Sequence, residues 1–269
     1  MSIQAWASRT RSSELLQSTE SQRLIDAFES FLLNECTAED AANNIASILE
    51  PIIRGAPSDV RHATVWSVLC DAIRELGSDL DISRHLINLL DTLRQIEVKD
   101  GHGDILKHEW GGSYWTNLPT FALHFREYGI DVESDLDMEI EEWLAQKSPF
   151  LNATSFAALC LSNSSNMSGM AFYVSGCMGE LQSDPDITPE MRYRSALYVP
   201  AAAAWITISG QKIYELCKNM EWSLDQDKWE SWERSLGEIA VDDQVKPEIQ
   251  EISLQTKDKM IVIRNKQNQ

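Results

Sequence analysis

Basic residues are scarce in this chain. It carries 23 Lys and Arg against 42 Asp and Glu, a formal net charge of −19 over 269 residues. Phosphate backbones and anionic bilayers are bound by clustered Lys and Arg, so neither nucleic acid nor a membrane surface is an expected partner. Long apolar runs are missing too. None reaches the ~18 residues of a membrane span, and the longest, Leu197 to Ile208, is interrupted by Pro200. Met1-Ser-Ile-Gln-Ala-Trp6 lacks the basic-then-apolar order of a secretory signal. The sequons at Asn152, Asn163 and Asn166 therefore read as chance matches. Cysteine is sparse: Cys36, Cys70, Cys160, Cys177 and Cys217 are odd in number and form no CxxC pair. Their apolar neighbours predict buried free thiols and a cytoplasmic protein. No Gly/Ser-rich linker and no repeat of 20–50 residues divides the chain. One domain over 1–269 with a short polar C-terminal tail is expected. GxSxG, P-loop and GxGxxG signatures are all absent.

Helical periodicity dominates what is present. Apolar residues make up 43%, enough for a sizeable core. Leu15, Leu16, Leu24, Ile25, Phe28, Phe31 and Leu32 predict one amphipathic helix of ~20 residues. Thr37 with Asp40 is an N-cap signal for a second helix, carrying Ala41, Ile45, Ile48, Leu49 and Ile52 and closed by Gly55-Ala-Pro57. A third starts at Ser58 or Asp59 and ends at Gly77, and a fourth runs from Asp81 to about Val98. Lys99 to Ser113 reads as irregular. Pro119 then opens a helix through Tyr128, and Ser134 caps another that Ser148-Pro149 breaks. Phe150 to Leu181 reads as two helices split at residues 163–166. Thr188-Pro189 begins the next helix, and Val199 to Met220 forms an alanine-rich core helix. Ser223 with Gln226 has capping-box spacing, and Asp243 to about Ile263 is the last amphipathic helix. The expected fold is all-α, with about ten to twelve packed helices.

Composition departs most from that of an ordinary helical protein in Trp110-Gly-Gly-Ser-Tyr-Trp115 and on through Pro119 to Tyr128. Here Gly111-Gly112 lets the backbone bend sharply or approach a ligand. His124 and Glu127, at i and i+3, are candidates for an acid–base pair. The competing reading is a surface pair beside a packed aromatic face. Trp110, Tyr114, Trp115, Phe121, Phe156, Tyr173, Trp205 and Tyr214 are candidates for a substrate pocket, since Trp and Tyr combine an apolar body with a polar tip. Plain core is the alternative for each. Trp222, Trp229 and Trp232, spaced seven and three apart, read as one packed helix face rather than a cation cage. His102, Asp104, His108 and Glu109 are close enough for a metal but match no known ligand spacing, so they read as a solvated loop. Neither a metal nor a cofactor is expected. The acidic residues 131–142, and Asn43-Asn44 with Ser47 and Glu50, follow diphosphate-binding motifs only loosely.

Three blocks, and a weaker fourth nearest the C-terminus, resemble a fungal family catalogued as domain of unknown function 3632. They are Gly112-Ser-Tyr-Trp115-Thr-Asn-Leu118-Pro119, Phe150-Leu-Asn152 through Phe156 to Leu159, Ala201 to Trp205-Ile with Gly210 and Tyr214, and Lys228-Trp229-Glu-Ser-Trp232. Lys228 stands where arginine is usual, and Cys160 where arginine often follows. The resemblance implies an ascomycete source and a helical fold, and it implies no activity. The expected function is a cofactor-independent enzyme of secondary metabolism. It would shape an apolar small molecule by cyclisation, isomerisation or a pericyclic step, which needs an enclosing pocket and few polar groups. The alternative is a non-catalytic helical interaction module whose acidic surface meets a basic protein partner; self-association into a homo-oligomer is a separate partner reading left open. A divalent-metal terpene-type cyclase is a minor alternative.

Overall fold

The computed structural model describes residues 1–55, 63–107, 113–118, 120–130, 140–163, 165–181 and 194–267. Among these residues every regular element is helical, apart from isolated antiparallel bridges joining Lys99 to Ile105 and Lys107 to Ser113. The fold class is all-α, as the periodicity requires. The chain forms two compact units, Met1–Asp131 and Val132–Gln269.

The first unit contains α1 (Ile3–Arg11), α2 (Thr19–Leu32), α3 (Ala38–Gly55), α4 (Thr64–Leu76) and α5 (Leu80–Leu93). Two single-turn helices follow, α6 (Tyr114–Asn117) and α7 (Phe121–His124), and α7 runs on into a π-helix, Phe125–Ile130. The long helix expected from Leu15 to Leu32 is interrupted. Ser18 has an extended backbone and its Oγ accepts the Ser21 N–H at 3.0 Å, so the helix restarts there. Leu15 is left 92% exposed on the 3₁₀ turn Glu14–Leu16, and only Leu16 of that pair is buried. The Thr37–Asp40 box forms as expected. Asp40 N–H donates to Thr37 Oγ1 at 3.1 Å and Thr37 N–H to Asp40 Oδ2 at 3.2 Å. These bonds from Thr37 hold the Asp40 carboxyl below its ordinary pKa. Asp79, two residues before the expected start, caps α5. The expected start of the third helix at residues 58–59 lies outside the described residues, but α4 ends at Leu76 before Gly77 as expected and buries Val65, Trp66, Leu69, Ile73 and Leu76. Lys99 to Lys107 is irregular, as expected, and the Asp100 carboxylate accepts the N–H groups of His102 and Asp104.

The second unit contains α8 (Ile140–Ala145), α9 (Lys147–Asn163), a 3₁₀ segment (Ser165–Met170), α10 (Ala171–Gly179), α11 (Ser195–Asn219), α12 (Gln226–Ile239) and α13 (Pro247–Gln267). Ser148-Pro149 does not end a helix. It sits in the first turn of α9, where a missing proline N–H leaves no intrahelical bond unmade. The split at residues 163–166 is where α9 gives way to the 3₁₀ segment. Helix α11 packs against both α9 and α13. Ala157 and Ala158 on α9 and Ala201 and Ala202 on α11 are fully buried, and small residues let helix axes approach. At the crossing, Ser209 Oγ donates to the Ala158 carbonyl at 2.5 Å. A Cβ at Gly210 would lie 2.6 Å from Ile263 Cδ1, so a larger residue there would push the Ile263 side chain aside. Asp225 caps α12 by accepting the Lys228 N–H at 2.7 Å, displacing the Ser223–Gln226 pair expected for that role. The supposed polar tail is helical as far as Gln267.

Helix α11 ends with Met220 in the left-handed region (φ 57°), and Glu221 N–H donates back to the Leu216 carbonyl at 3.0 Å. This is a Schellman closure without its usual glycine. Met220 is 78% exposed, so its side chain contributes little packing. Met220→Gly is therefore expected to stabilise the protein by about 0.5–1 kcal/mol, relief of left-handed strain minus the added freedom of the unfolded chain. Urea unfolding measures this, and an unchanged or lower midpoint would contradict the strain argument.

Candidate functional site

The first unit holds a cavity of about 790 Å³, within the range that small organic ligands occupy. Three walls build it. Helix α1 and the turn after it supply Arg9, Thr10, Ser12, Ser13, Leu15 and Leu16. Helix α4 and the residue before it supply Ala63, Thr64, Ser67, Cys70, Asp71 and Arg74. The third wall is His124, at the end of α7, and Tyr128, in the π-helix.

Asp71 locks α1 onto α4. Its Oδ2 accepts the Trp6 indole N–H at 2.8 Å and the Thr10 hydroxyl at 2.7 Å, and its Oδ1 accepts Arg9 at 3.0 Å. Arg9 also reaches Glu75 at 2.7 Å. Burial alone would lower the Arg9 pKa, but Glu75 and Asp71 outweigh it and raise it above its ordinary value. The cation is therefore already neutralised. Asp71→Ala would strand the fully buried Trp6 N–H, and a loss of about 2–3 kcal/mol is expected in chemical denaturation. A change below ~0.5 kcal/mol would show that α1 docks without it.

The third wall is locally strained. Leu118 (φ 44°) and Thr120 (φ 64°) are left-handed without being glycine. The α-to-π change follows within five residues. π turns concentrate at functional sites, and left-handed non-glycine residues do the same. The i→i+5 bonding also rotates the helix face. Tyr128, not Glu127, comes beside His124, with ring centroids 5.7 Å apart. Gly129 makes this turn possible, because a Cβ there would sit 2.6 Å from the Phe125 ring. Its carbonyl accepts from Arg74 at 3.3 Å, tying the π-helix to α4. His124 Nδ1 lies 3.2 Å from the Thr120 carbonyl. A carbonyl only accepts, so Nδ1 donates in this contact, and of the two neutral tautomers the one it selects leaves the lone pair on Nε2.

The remaining sequence candidates are placed as follows. Glu127 lies outside the cavity wall and pairs with Arg126 at 3.3 Å. Tyr114, Trp115 and Phe121 are buried in a run of ring contacts with Trp66 and Phe125. Trp66 meets Trp115 edge-on at 6.1 Å and Phe121 at 5.3 Å. In the second unit Phe156 and Trp205 are fully buried, Tyr214 packs edge-on against Trp229 at 4.9 Å, and Tyr173 is half-buried beside Phe172. Trp110 lies outside the described residues, as do His108, Glu109 and residues 131–139 of the acidic run. No described group of three His, Cys, Asp or Glu is placed to hold a metal. Glu50 is paired with Arg54 at 2.6 Å, and Ser47 donates to the Asn44 carbonyl. The residues missed from sequence are Arg9, Thr10, Ser67, Asp71, Arg74 and Tyr128. Only Tyr128 carried a signal, by lying in the unusual aromatic segment.

Cys70 lines the cavity, but burial pushes its thiol up to about 12, so it is no nucleophile at neutral pH. Cys217 is likewise pushed to about 12 by burial, and Cys177 higher still. All five cysteines are free, and only Cys36 is not buried. Ellman's reagent should therefore label one thiol in the native protein and five after denaturation. Rapid native labelling of more than one would contradict this burial.

The fold and site define an all-α protein with an open cavity of ligand size, walled on one side by a π-helix. The chain belongs to the family described as "Protein of unknown function (DUF3632)", which matches residues 66–247. That match covers α4 from Trp66 onward and the π-helix wall, and begins after α1. Compared with the curated proteins and with the solved structures, the chain matches none.

Proposed function

We propose that this protein is a cofactor-independent enzyme acting on a small, neutral, mainly apolar molecule in the α1–α4–π-helix cavity. One observation carries the reading: His124 and Tyr128 share a cavity wall exactly where the backbone is strained and turns from α to π. The basic Nε2 of His124 takes a proton from the bound molecule and returns it at another atom, which isomerises or cyclises the molecule without an oxidant or reductant. The Tyr128 hydroxyl is a donor for oxygen charge that develops on the way. Neutrality of the ligand is supported by charge balance: the two cations on the cavity wall, Arg9 and Arg74, stand against two carboxylates, Asp71 on the wall and Glu75 bound to Arg9.

Nile red, a neutral apolar dye, tests the cavity. One dye should bind per chain. Ser67→Trp, which fills the cavity from the half-exposed wall of α4, should abolish binding without changing the far-ultraviolet circular dichroism. Equal binding by both proteins would remove the reading.

A second reading is an interaction module for a basic protein partner. It is favoured by exposed apolar side chains in the second unit: Phe172 (62%), Met220 (78%) and Trp222 (46%), with the Trp222 ring lying over Gly169. Glu221 stands between two of them, and the chain is strongly acidic overall. Under this reading Trp222→Ala loses a partner while Nile red binding is unchanged.

A further inference from the structure

We propose that a second cavity, within the Val132–Gln269 unit, binds a small phosphorylated organic molecule through Lys212, Lys259 and Lys266. The cavity has a volume of about 480 Å³ and lies where α11 and α13 meet the end of α9. Lys259, Val262, Ile263 and Lys266 are three, four and seven positions apart, one face of α13, and all four line it. Helix α11 supplies Thr207, Ile208, Gln211 and Lys212, and α9 supplies Ser162.

Charge makes this place unusual. The chain has 42 carboxylates for 23 Lys and Arg, so a lysine should find a carboxylate easily. Lys212 Nζ is 3.8 Å from Glu215, at the long end of an ion pair. Among the described residues neither Lys259 nor Lys266 has a carboxylate at ion-pair distance. Among the described residues Glu215 is the only carboxylate on the cavity wall. Three ammonium groups, two hydroxyls and one amide are donors suited to an anion with several oxygens and nearly two charges, as a phosphate monoester has. Val262, 49% exposed, and Ile208 offer apolar surface to an organic body. The net charge of −19 repels nucleic acid and anionic membranes, which favours a small ligand over a polymer or a bilayer.

Calorimetric titration at low salt, with phenyl phosphate, inorganic phosphate and a short single-stranded oligonucleotide, tests the site. Phenyl phosphate should bind one per chain, more tightly than inorganic phosphate. The Lys259→Gln/Lys266→Gln double variant should bind at least tenfold more weakly. Both lysines are exposed, so its melting temperature without ligand should match the parent. Glu215→Gln, which removes the one like charge, should tighten binding several-fold. Lys99→Gln, in the other unit, should change nothing. The proposal is overturned if phenyl phosphate shows no saturable binding, if the double variant binds as the parent does, or if the oligonucleotide binds more tightly than phenyl phosphate. This site and the His124 cavity share no residue, so either can fail alone.

Discussion

Replacing His124 by glutamine should lower turnover by about 10²–10⁴-fold while leaving Nile red affinity unchanged. Glutamine keeps much of the size and hydrogen-bonding capacity of the imidazole, but it cannot carry a proton. The neutral imidazole has its Nδ1–H committed to the Thr120 carbonyl, so proton transfer falls to Nε2. The measurement starts with the wild-type protein and an extract of apolar metabolites, following which compound is consumed by mass spectrometry. The variant is then compared on that compound. A variant as active as the parent would remove His124 from the chemistry. A variant that also loses the dye would make His124 part of the cavity's framework instead.

Trp66→Ala should destabilise the first unit by about 3–5 kcal/mol, a large share of a typical domain's total. Trp66 is 1% exposed and projects from α4 between Trp115 and Phe121. Its loss leaves a void that two aromatic neighbours cannot both fill. Phe121 begins α7, which ends in His124, so the void also loosens the third wall of the cavity. Trp66→Phe keeps a ring there and should cost less than half as much. Denaturant unfolding of the two variants gives the order. A Trp66→Ala protein as stable as the parent would mean that this ring cluster is not core.

The aromatic segment around Trp115 was legible in the sequence as unusual, but its two possible meanings were not separable there. A buried ring and a pocket-lining ring have the same composition. In the structure Trp115 and Phe121 interlock with Trp66, while the side chains that reach the cavity are His124 and Tyr128 from the same segment. The pairing of His124 with Glu127 assumed α-helical spacing. An i→i+5 turn leaves no mark in an apolar pattern, because it depends on how Phe125 and Gly129 pack. Leu15 likewise looked like helix interior, since hydrophobic spacing cannot register that Ser18 restarts the helix.

By itself the sequence determined the helical class, the capping box at Thr37 and Asp40, the break after Asn163, and the scattered thiols that fold as free cysteines. These are local properties. They depend on spacing within a few residues, on a side-chain acceptor beside a helix start, or on the absence of a paired cysteine motif. Only the tertiary structure decided the cavity. Asp71 meets Trp6 and Arg9 across more than sixty residues, and His124 supplies another wall from a further helix. The lysines of α11 and α13 come to one cavity because those two helices pack against each other. Such juxtapositions are set by packing between helices, which no periodicity along the chain encodes.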